Sequence, residues 1–274
     1  MPPIELGAER NLQAHALQCL RSCDADVKCA LTARIGEAWR TGDLTLDSAP
    51  SVEEIESPGR PLKPDLVPPG KVARRGYSNR GERAALLHAL AHIEFNAVNL
   101  GWDAVYRFRG LPKAYYDDWV QVAEDEARHF LLLRDRLRDH GHEYGDFSAH
   151  NGLWEMAMKT SGDLVARMAL VPRVLEARSL DVVPGIVRKL RGVGDRASAE
   201  VLELIEREEV AHVAAGSRWF RFVCEREGRE PTATFRALIE QYMKGRVKGP
   251  FHFEARRAAG FDDDEITLLE ELGG

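Results

Sequence analysis

The sequence predicts an all-α fold built around four long helices. Two observations support this prediction: apolar residues recur at helical spacing over long runs, and glycine or proline stands where each run ends. No segment combines alternating β-branched residues with hairpin turns, so no sheet is expected. With 274 residues, of which 44% are hydrophobic and 30% charged, the chain can bury a substantial core.

The beginning of the chain predicts a small N-terminal helical segment and then a connector. Residues 1–42 contain two short runs with helical spacing, the second ending near Gly42. Residues 43–78 are instead rich in proline, which lacks a backbone donor and forces the preceding residue into an extended conformation. We therefore expect no long helix in this connector.

The first two long helices have recognisable ends. Asn79, with Glu82 three residues later, has the form of an N-terminal capping pair, and helix one continues from there to Gly110. Helix two starts at Pro112, which suits a first helical position, and ends at Gly141. These two helices are predicted to form a hairpin.

The other two long helices follow a less regular segment that holds one short helix. Helix three contains Pro172 and Pro184, which must kink or interrupt it. Asp195 caps helix four, which ends at Gly228. Residues 229–274 then predict a C-terminal helical extension with two shorter helices.

Two of these helices contain the same pairing of a carboxylate with an imidazole. The pattern Glu-x-x-His places Glu126 with His129 in helix two, and Glu209 with His212 in helix four. Residues three apart lie on neighbouring turns of one helix face, so each pair can bind one metal ion together. One such pair alone is weak evidence, because both residue types are common on solvated faces.

Helices one and three each add a glutamate inside an apolar run. Glu94 lies in AHIEFNAV, and Glu176 lies in VPRVLEARSL. A buried carboxylate is costly without a cation or a proton, so a metal ion would stabilise both. The intervals from Glu94 to Glu126 and from Glu176 to Glu209 are 32 and 33 residues, with glycine near each midpoint.

These intervals predict how the helices connect. Folding each helix pair into an antiparallel hairpin brings its two glutamates to the same level. The 50 residues from Glu126 to Glu176 suit a long crossover between helices two and three. The result is the connectivity of a four-helix bundle over residues 79–228. One Glu from each of two helices, with one Glu-x-x-His from each of the other two, resembles the di-iron carboxylate site of the ferritin-like superfamily.

The resemblance implies a ferritin-like four-helix bundle with a defined set of site residues. The implied metal ligands are Glu94, Glu126, His129, Glu176, Glu209 and His212. Residues that would support these ligands are Asp125, Glu208 and Arg128. Among them, Asp125 is expected to accept a hydrogen bond from a ligand histidine, which fixes the tautomer of that imidazole.

Two narrower resemblances refine the expected activity. The strings DEARH and EEVAH resemble those of the oxygen-activating branch, which includes hydroxylases and desaturases, although Ala211 replaces the frequent arginine in the second string. The segment PGRPLKPDLVPPGKVARR, with LEARSLDV and EEVAHV, resembles an uncharacterised bacterial ferritin-like family that neighbours the tRNA-hydroxylating branch known as MiaE.

The resemblance implies an oxygen-activating oxidoreductase of the hydroxylase or oxidase type. Its cofactor would be two iron ions, and a manganese–iron or dimanganese pair suits the same ligands, because affinity alone does not select among these metals. Its expected partners are dioxygen and a small-molecule or nucleotide-bearing substrate. An electron donor, and a second copy of the chain in a homodimer, are compatible further partners.

Two other functions stay open at this point. Iron storage or detoxification, with ferrous oxidation as the whole reaction, would need a cage or another iron sink. A non-catalytic interaction module would use the bundle only as a scaffold. The symmetric ligand set argues against the module, because a purely structural bundle would place Leu or Ala at these inward positions.

Composition limits the location and the partners. The chain lacks the roughly 18 uninterrupted apolar residues of a membrane helix, and its start lacks the order of a secretory signal. Its four cysteines form no CxxC pair, which suits a reducing compartment. A formal net charge of −6 argues against general nucleic-acid binding. We therefore expect a cytoplasmic protein that does not bind membranes.

Overall fold

A computed structural model of the chain describes residues 6–47 and 51–273. These residues are predominantly α-helical, and none of them forms a β-strand of a sheet, so the all-α prediction is confirmed for the described part of the chain. No described helix is both long and apolar enough to cross a lipid bilayer. The chain divides into two compact units, residues 1–155 and 156–274.

The first unit is built on two long antiparallel helices and two shorter ones. Its helices are α1 (Leu12–Arg21), α2 (Ala25–Thr41), α3 (Arg80–Arg107) and α4 (Lys113–Asp139), and α5 (Gly152–Lys159) starts near its end. The connector contains one 3₁₀ turn, Pro69–Lys71. Along their length α3 and α4 pack on each other, while α1 packs on α3 and α2 packs on α4.

The ends of these helices follow the expected local rules. Gly42 ends α2 with a φ of 81°, in the left-handed region that glycine tolerates. The Asn79 side chain accepts a hydrogen bond from the Glu82 N–H at 2.9 Å, as predicted. The Glu82 carboxylate, however, accepts from the Ser78 N–H at 3.3 Å. Pro112 stands immediately before α4, one position earlier than predicted.

The connector is fixed to the first unit by buried side chains. Lys28 of α2 is fully buried, donates to the carbonyl of Gly59 at 2.8 Å, and also donates to Asn99 Oδ1 of α3. The indole N–H of Trp154 donates to the carbonyl of Glu56 at 2.9 Å. Residues 48–50 of the predicted connector lie outside the described residues.

The second unit is organised around one 32-residue helix. After α6 (Leu164–Leu170), the π-helical segment Val171–Glu176 leads into α7 (Arg178–Gly192), and α8 (Arg196–Glu227) packs against all three. Pro172 lies at the second position of the π-helical segment, whereas Pro184 lies inside α7 without ending it. The Asp195 side chain accepts from the Ser198 N–H and caps α8.

The C-terminal extension adds three helices to the second unit. They are α9 (Pro231–Met243), α10 (Phe253–Ala258) and α11 (Asp263–Leu272). The sequence predicted α9 and α11 but not α10, which is only six residues long. The apolar faces of this extension are buried, with Phe235, Ile239, Phe261 and Leu269 in its core.

Candidate metal centre

In the first unit, α3 and α4 bring Glu94, Glu126 and His129 together. Each offers one ligand atom, and these atoms lie within 4.8 Å of one another. His129 Nδ1 is 3.6 Å from Glu94 Oε2 and 3.5 Å from Glu126 Oε2. The three residues are 7%, 1% and 0% exposed, respectively. Three of the six residues that the sequence predicts as ligands therefore form a buried cluster of two carboxylates and one imidazole.

The donor set of this cluster fits a divalent metal ion. The two Nδ1 to carboxylate distances are longer than hydrogen bonds. Two donor atoms that bind one ion at about 2.1 Å are separated by roughly 3.0–3.6 Å, which covers these distances. Carboxylate oxygen and imidazole nitrogen are ordinary ligands of iron, manganese and zinc. A cation would also offset the cost of burying two carboxylates.

The register of the hairpin explains why these residues meet. Glu94 lies thirteen residues before the last residue of α3, and Glu126 lies thirteen residues after the first residue of α4. The two glutamates are thus at the same level above the turn, as the intervals predicted. Phe95 and Phe130, each next to one of the three residues in sequence, pack with ring centroids 5.4 Å apart.

In the second unit, α8 presents Glu209 and His212 on adjacent turns of one face. His212 Nδ1 lies 3.3 Å from Glu209 Oε1, and the two residues are 2% and 4% exposed. Glu176 is also buried and is the last residue of the π-helical segment. The second unit thus contains the same residue types as the first, on a different backbone.

The level of Glu176 differs from that of Glu94. Glu209 lies thirteen residues after the start of α8, but the residue thirteen before the end of α7 is Ser179. The Ser179 hydroxyl is 2.8 Å from the Glu176 carbonyl and 3.4 Å from Glu209 Oε2, both acceptors for its proton. Ser179 therefore takes the level that the sequence assigned to Glu176, which lies one turn earlier. Ser179 is identified by counting residues from the observed ends of α7 and α8. In the sequence, the glycines near the turn between these helices do not define the helix ends closely enough to identify it.

The expected supporting residues lie beside the ligand positions. Asp125 accepts from Arg128 Nη2 at 2.7 Å and from Gln121 Nε2 at 3.1 Å. This pair is partly exposed, with 43% of the Arg128 side chain and 19% of the Asp125 side chain accessible. Glu208 is half-buried next to Glu209. The hydrogen bond from a ligand histidine to Asp125 stays a prediction.

Two further histidines of α3 are buried and neutral. Burial lowers the pKa of His88 and of His92 from 6.5 to about 4 in each case. Asn96 Nδ2 donates to His92 Nε2 at 3.0 Å and to the His92 carbonyl at 2.9 Å. The remaining nitrogen, Nδ1, therefore carries the proton and donates to the Tyr144 oxygen at 2.8 Å.

Tyr144 was not identified from the sequence. Its ring packs against Phe95 and Phe130, with centroid distances of 5.7 and 5.0 Å. Burial raises the pKa of its phenol well above the usual value, so the phenol keeps its proton. Tyr144 lies in the segment between α4 and α5, where no helical period marks buried positions.

A family profile and a sequence relative each match most of the chain. The profile of a family described as "Protein of unknown function (DUF455)" matches residues 21–267. An uncharacterized protein of Haemophilus influenzae is 42% identical over 219 residues, covering 77% of this chain and 76% of the relative. No solved structure matches the chain at a significant level. The chain therefore belongs to the DUF455 family of proteins of unknown function.

Proposed function

We propose that this protein is a dinuclear metal oxidoreductase of the hydroxylase or oxidase type, with a ferritin-like four-helix arrangement. The observation that carries the proposal is the buried cluster of Glu94, Glu126 and His129. The second unit supplies the same residue types, buried in the same way. The proposed ligands of the two ions are Glu94, Glu126, His129, Glu176, Glu209 and His212.

The charge of the proposed ligands favours binding of two divalent cations. Four carboxylates neutralise two doubly charged ions, and two neutral imidazoles add no charge. Without cations, four carboxylates at positions of 7% exposure or less would carry a large desolvation cost. The negative charge of the ligand set and the positive charge of the proposed ions thus cancel.

Two ions held by these residues would supply reducing electrons and open coordination positions for dioxygen, the chemistry required to oxidise or hydroxylate an organic substrate. The chain itself orients the ligands. Glu126 and His129 are held on one face of α4, and Glu209 and His212 on one face of α8. Phe95 and Phe130 exclude water next to the ligands of the first unit.

Iron is the proposed metal, because oxygen and nitrogen ligands suit an ion that changes oxidation state. A manganese–iron or dimanganese pair would use the same residues. A small-molecule or nucleotide-bearing substrate is proposed, with an external electron donor to complete a catalytic cycle. Both partners rest on the resemblance of the ligand pattern.

The direct test is to load the metal-free chain with ferrous iron under anaerobic conditions and then admit oxygen. We expect a ligand-to-metal absorption band that saturates at two irons per chain. Glu126→Gln and Glu209→Gln keep the side-chain volume but remove a ligand charge, so each should lower the iron content. Glu203→Gln is the matched control, since Glu203 lies on α8 but pairs with Arg191 at the surface.

Two results would reject the proposal. Absence of bound iron and of the band in the parent chain excludes the metal centre. Iron uptake far above two per chain, in a particle of tens of subunits, would instead identify iron storage.

A further inference from the structure

The backbone around Glu176 has weak local support. Val171–Glu176 is π-helical, and Pro172 at its second position has no N–H to donate. The Ala177 N–H bonds to the Pro172 carbonyl at 3.0 Å, which is the i to i−5 pattern of a π-turn. Such turns are rare in helices and are frequent at functional sites. Contacts from elsewhere in the second unit must therefore hold this segment in place.

Arg173, three residues before Glu176, makes the central contact. It is fully buried, and its Nη2 donates to Glu265 Oε1 at 2.5 Å. Its Nε donates to Ser217 Oγ of α8 at 3.2 Å. The guanidinium carbon lies 4.3–4.6 Å from the centroids of three aromatic rings, those of Phe220, Phe235 and Phe261. Charge, hydrogen bonds and ring faces together fix this side chain.

Glu265 is itself held rigidly at the start of α11. Its other oxygen, Oε2, accepts from Arg221 Nη2 at 2.8 Å and from the Asp262 N–H at 3.1 Å. The Asp262 side chain accepts in turn from the Glu265 N–H, which completes a capping box. Both carboxylate oxygens of Glu265 are thus engaged, and the residue is 0% exposed.

A second buried pair holds the chain on the other side of Glu176. Asp181, in the first turn of α7, accepts from Arg256 Nε at 3.0 Å and from Arg256 Nη2 at 2.7 Å. Arg256 Nη1 also lies 3.4 Å from the Arg173 carbonyl. The C-terminal extension therefore contacts the chain both before and after Glu176.

A gain in stability does not by itself explain these two buried ion pairs. Buried ion pairs are often no more stabilising than apolar side chains of the same volume, because desolvation offsets the attraction between the charges. Their geometric specificity is the property that apolar packing does not reproduce. We propose that the Arg173–Glu265 ion pair is a positioning device that fixes the π-helical segment so that Glu176 can bind metal. This inference rests on the proposed function.

The test replaces the pair by apolar residues in the full-length chain, as Arg173→Met with Glu265→Leu. This double variant should unfold within a few degrees of the parent temperature, because Arg173 and Glu265 are removed together and Arg221 keeps Asp262 as a partner. In the metal-free protein, amide exchange of Val171 and of residues 173–177 should accelerate by about tenfold or more. The affinity for the second of two Mn²⁺ ions should fall by about 10- to 100-fold, the usual effect of removing support from a ligand.

Electron paramagnetic resonance gives a reading that a general loss of stability would not produce. The parent with two neighbouring Mn²⁺ ions should give a broadened, coupled signal, whereas the double variant should give the six lines of an isolated ion. The matched control is Asp103→Leu with Arg107→Leu, which removes another buried ion pair, on α3. That control should keep two Mn²⁺ ions and the coupled signal.

The outcomes separate this inference from the proposed function. A parent chain that binds fewer than two Mn²⁺ ions overturns the proposed function, and this inference with it. A parent and a double variant that bind two ions with equal affinity and equal exchange overturn this inference alone. If the double variant does not fold, the isosteric Glu265→Gln decides by the same two measurements.

Discussion

Glu94 of the first unit stands in the middle of a 28-residue α-helix, whereas its counterpart Glu176 in the second unit ends a six-residue π-helical segment. The helices that carry Glu126 and Glu209 are alike in one respect, since each glutamate lies thirteen residues after the first residue of its helix. The backbone differs at the two single glutamates, Glu94 and Glu176. A shared residue pattern therefore does not imply a shared backbone.

The difference also concerns what holds each glutamate. Glu94 depends on a regular helix that packs closely against its neighbour in sequence. Glu176 depends on residues as distant as Glu265, because π-helical turns and Pro172 weaken the local hydrogen bonding. The backbone at Glu94 is supported by its own helix, whereas the backbone at Glu176 is supported by long-range contacts. Substitutions that act on one type of support should therefore affect the two units differently.

The largest expected effect on stability is at Gly216 of α8. A Cβ there would lie 2.5 Å from two ring atoms of Pro172, which cannot move independently of the π-helical segment. Gly216→Ala should lower the free energy of unfolding by about 1–3 kcal/mol. Gly101 of α3 makes a looser approach, 3.0 Å from Ala123 Cβ, so Gly101→Ala should cost less.

Urea denaturation of the two variants measures this contrast. Gly185→Ala on α7 is the control, because its nearest neighbour is a flexible arginine tip at 3.9 Å. That control should gain up to about 1 kcal/mol from helix propensity. Equal losses at Gly216 and Gly101 would show that the π-helical segment yields as easily as α4.

The next effect is a pH dependence of the unfolding stability that arises in the first unit. The pKa of His88 is lowered by burial from 6.5 to about 4, so between these values the unfolded chain binds a proton that the folded chain does not. Stability should therefore fall as the pH decreases from about 6.5 to about 4, with His88 contributing up to about 3 kcal/mol.

Denaturation of metal-free His88→Gln across this pH range checks the contribution. The variant should lose less stability on acidification than the parent. A parent-like slope in the His88 variant would assign the acid sensitivity to other groups.

The features that the sequence predicted are those that short-range rules determine. Gly42, Asn79, Asp195 and Gly228 act through their own turn of backbone, so they mark helix ends correctly. Likewise, a spacing of three residues puts Glu and His of each Glu-x-x-His pattern on one face. These parts of the candidate site needed no tertiary information.

The features that escaped prediction depend on distant contacts. Arg173 and Glu265 are 92 positions apart, and no local pattern links them. The π-helical turn and the level of Glu176 depend on such contacts. Tyr144 lies outside any periodic segment, and α10 is too short to produce a clear helical period.

A smaller effect tests the role of Ser179 in the second unit. Ser179→Ala removes the hydroxyl that lies near Glu209 Oε2, so it should weaken metal binding by about tenfold without preventing it. Ser179→Thr keeps a hydroxyl and should bind as the parent does. Mn²⁺ titration measures both variants, and equal affinity in the parent and the alanine variant would remove Ser179 from the site.

The smallest effect is expected at the partly exposed Asp125–Arg128 pair. Surface ion pairs separated by one helical turn contribute little, so Arg128→Gln should change the free energy of unfolding by about 0.5 kcal/mol or less. Denaturation measures the stability, and Mn²⁺ titration measures whether the pair also supports the ligands, as the sequence predicts. A large loss of metal would give Arg128 a role at the site.

The central proposal is that Glu126 and His129 bind one metal ion and that Glu209 and His212 bind a second. Crystals grown with Mn²⁺ and measured at a wavelength where manganese scatters anomalously would test it most directly. We predict two anomalous peaks per chain, one bound by Glu126 and His129 and the other by Glu209 and His212. Well-ordered crystals with no peak at these residues, or with manganese bound only elsewhere, would contradict the account.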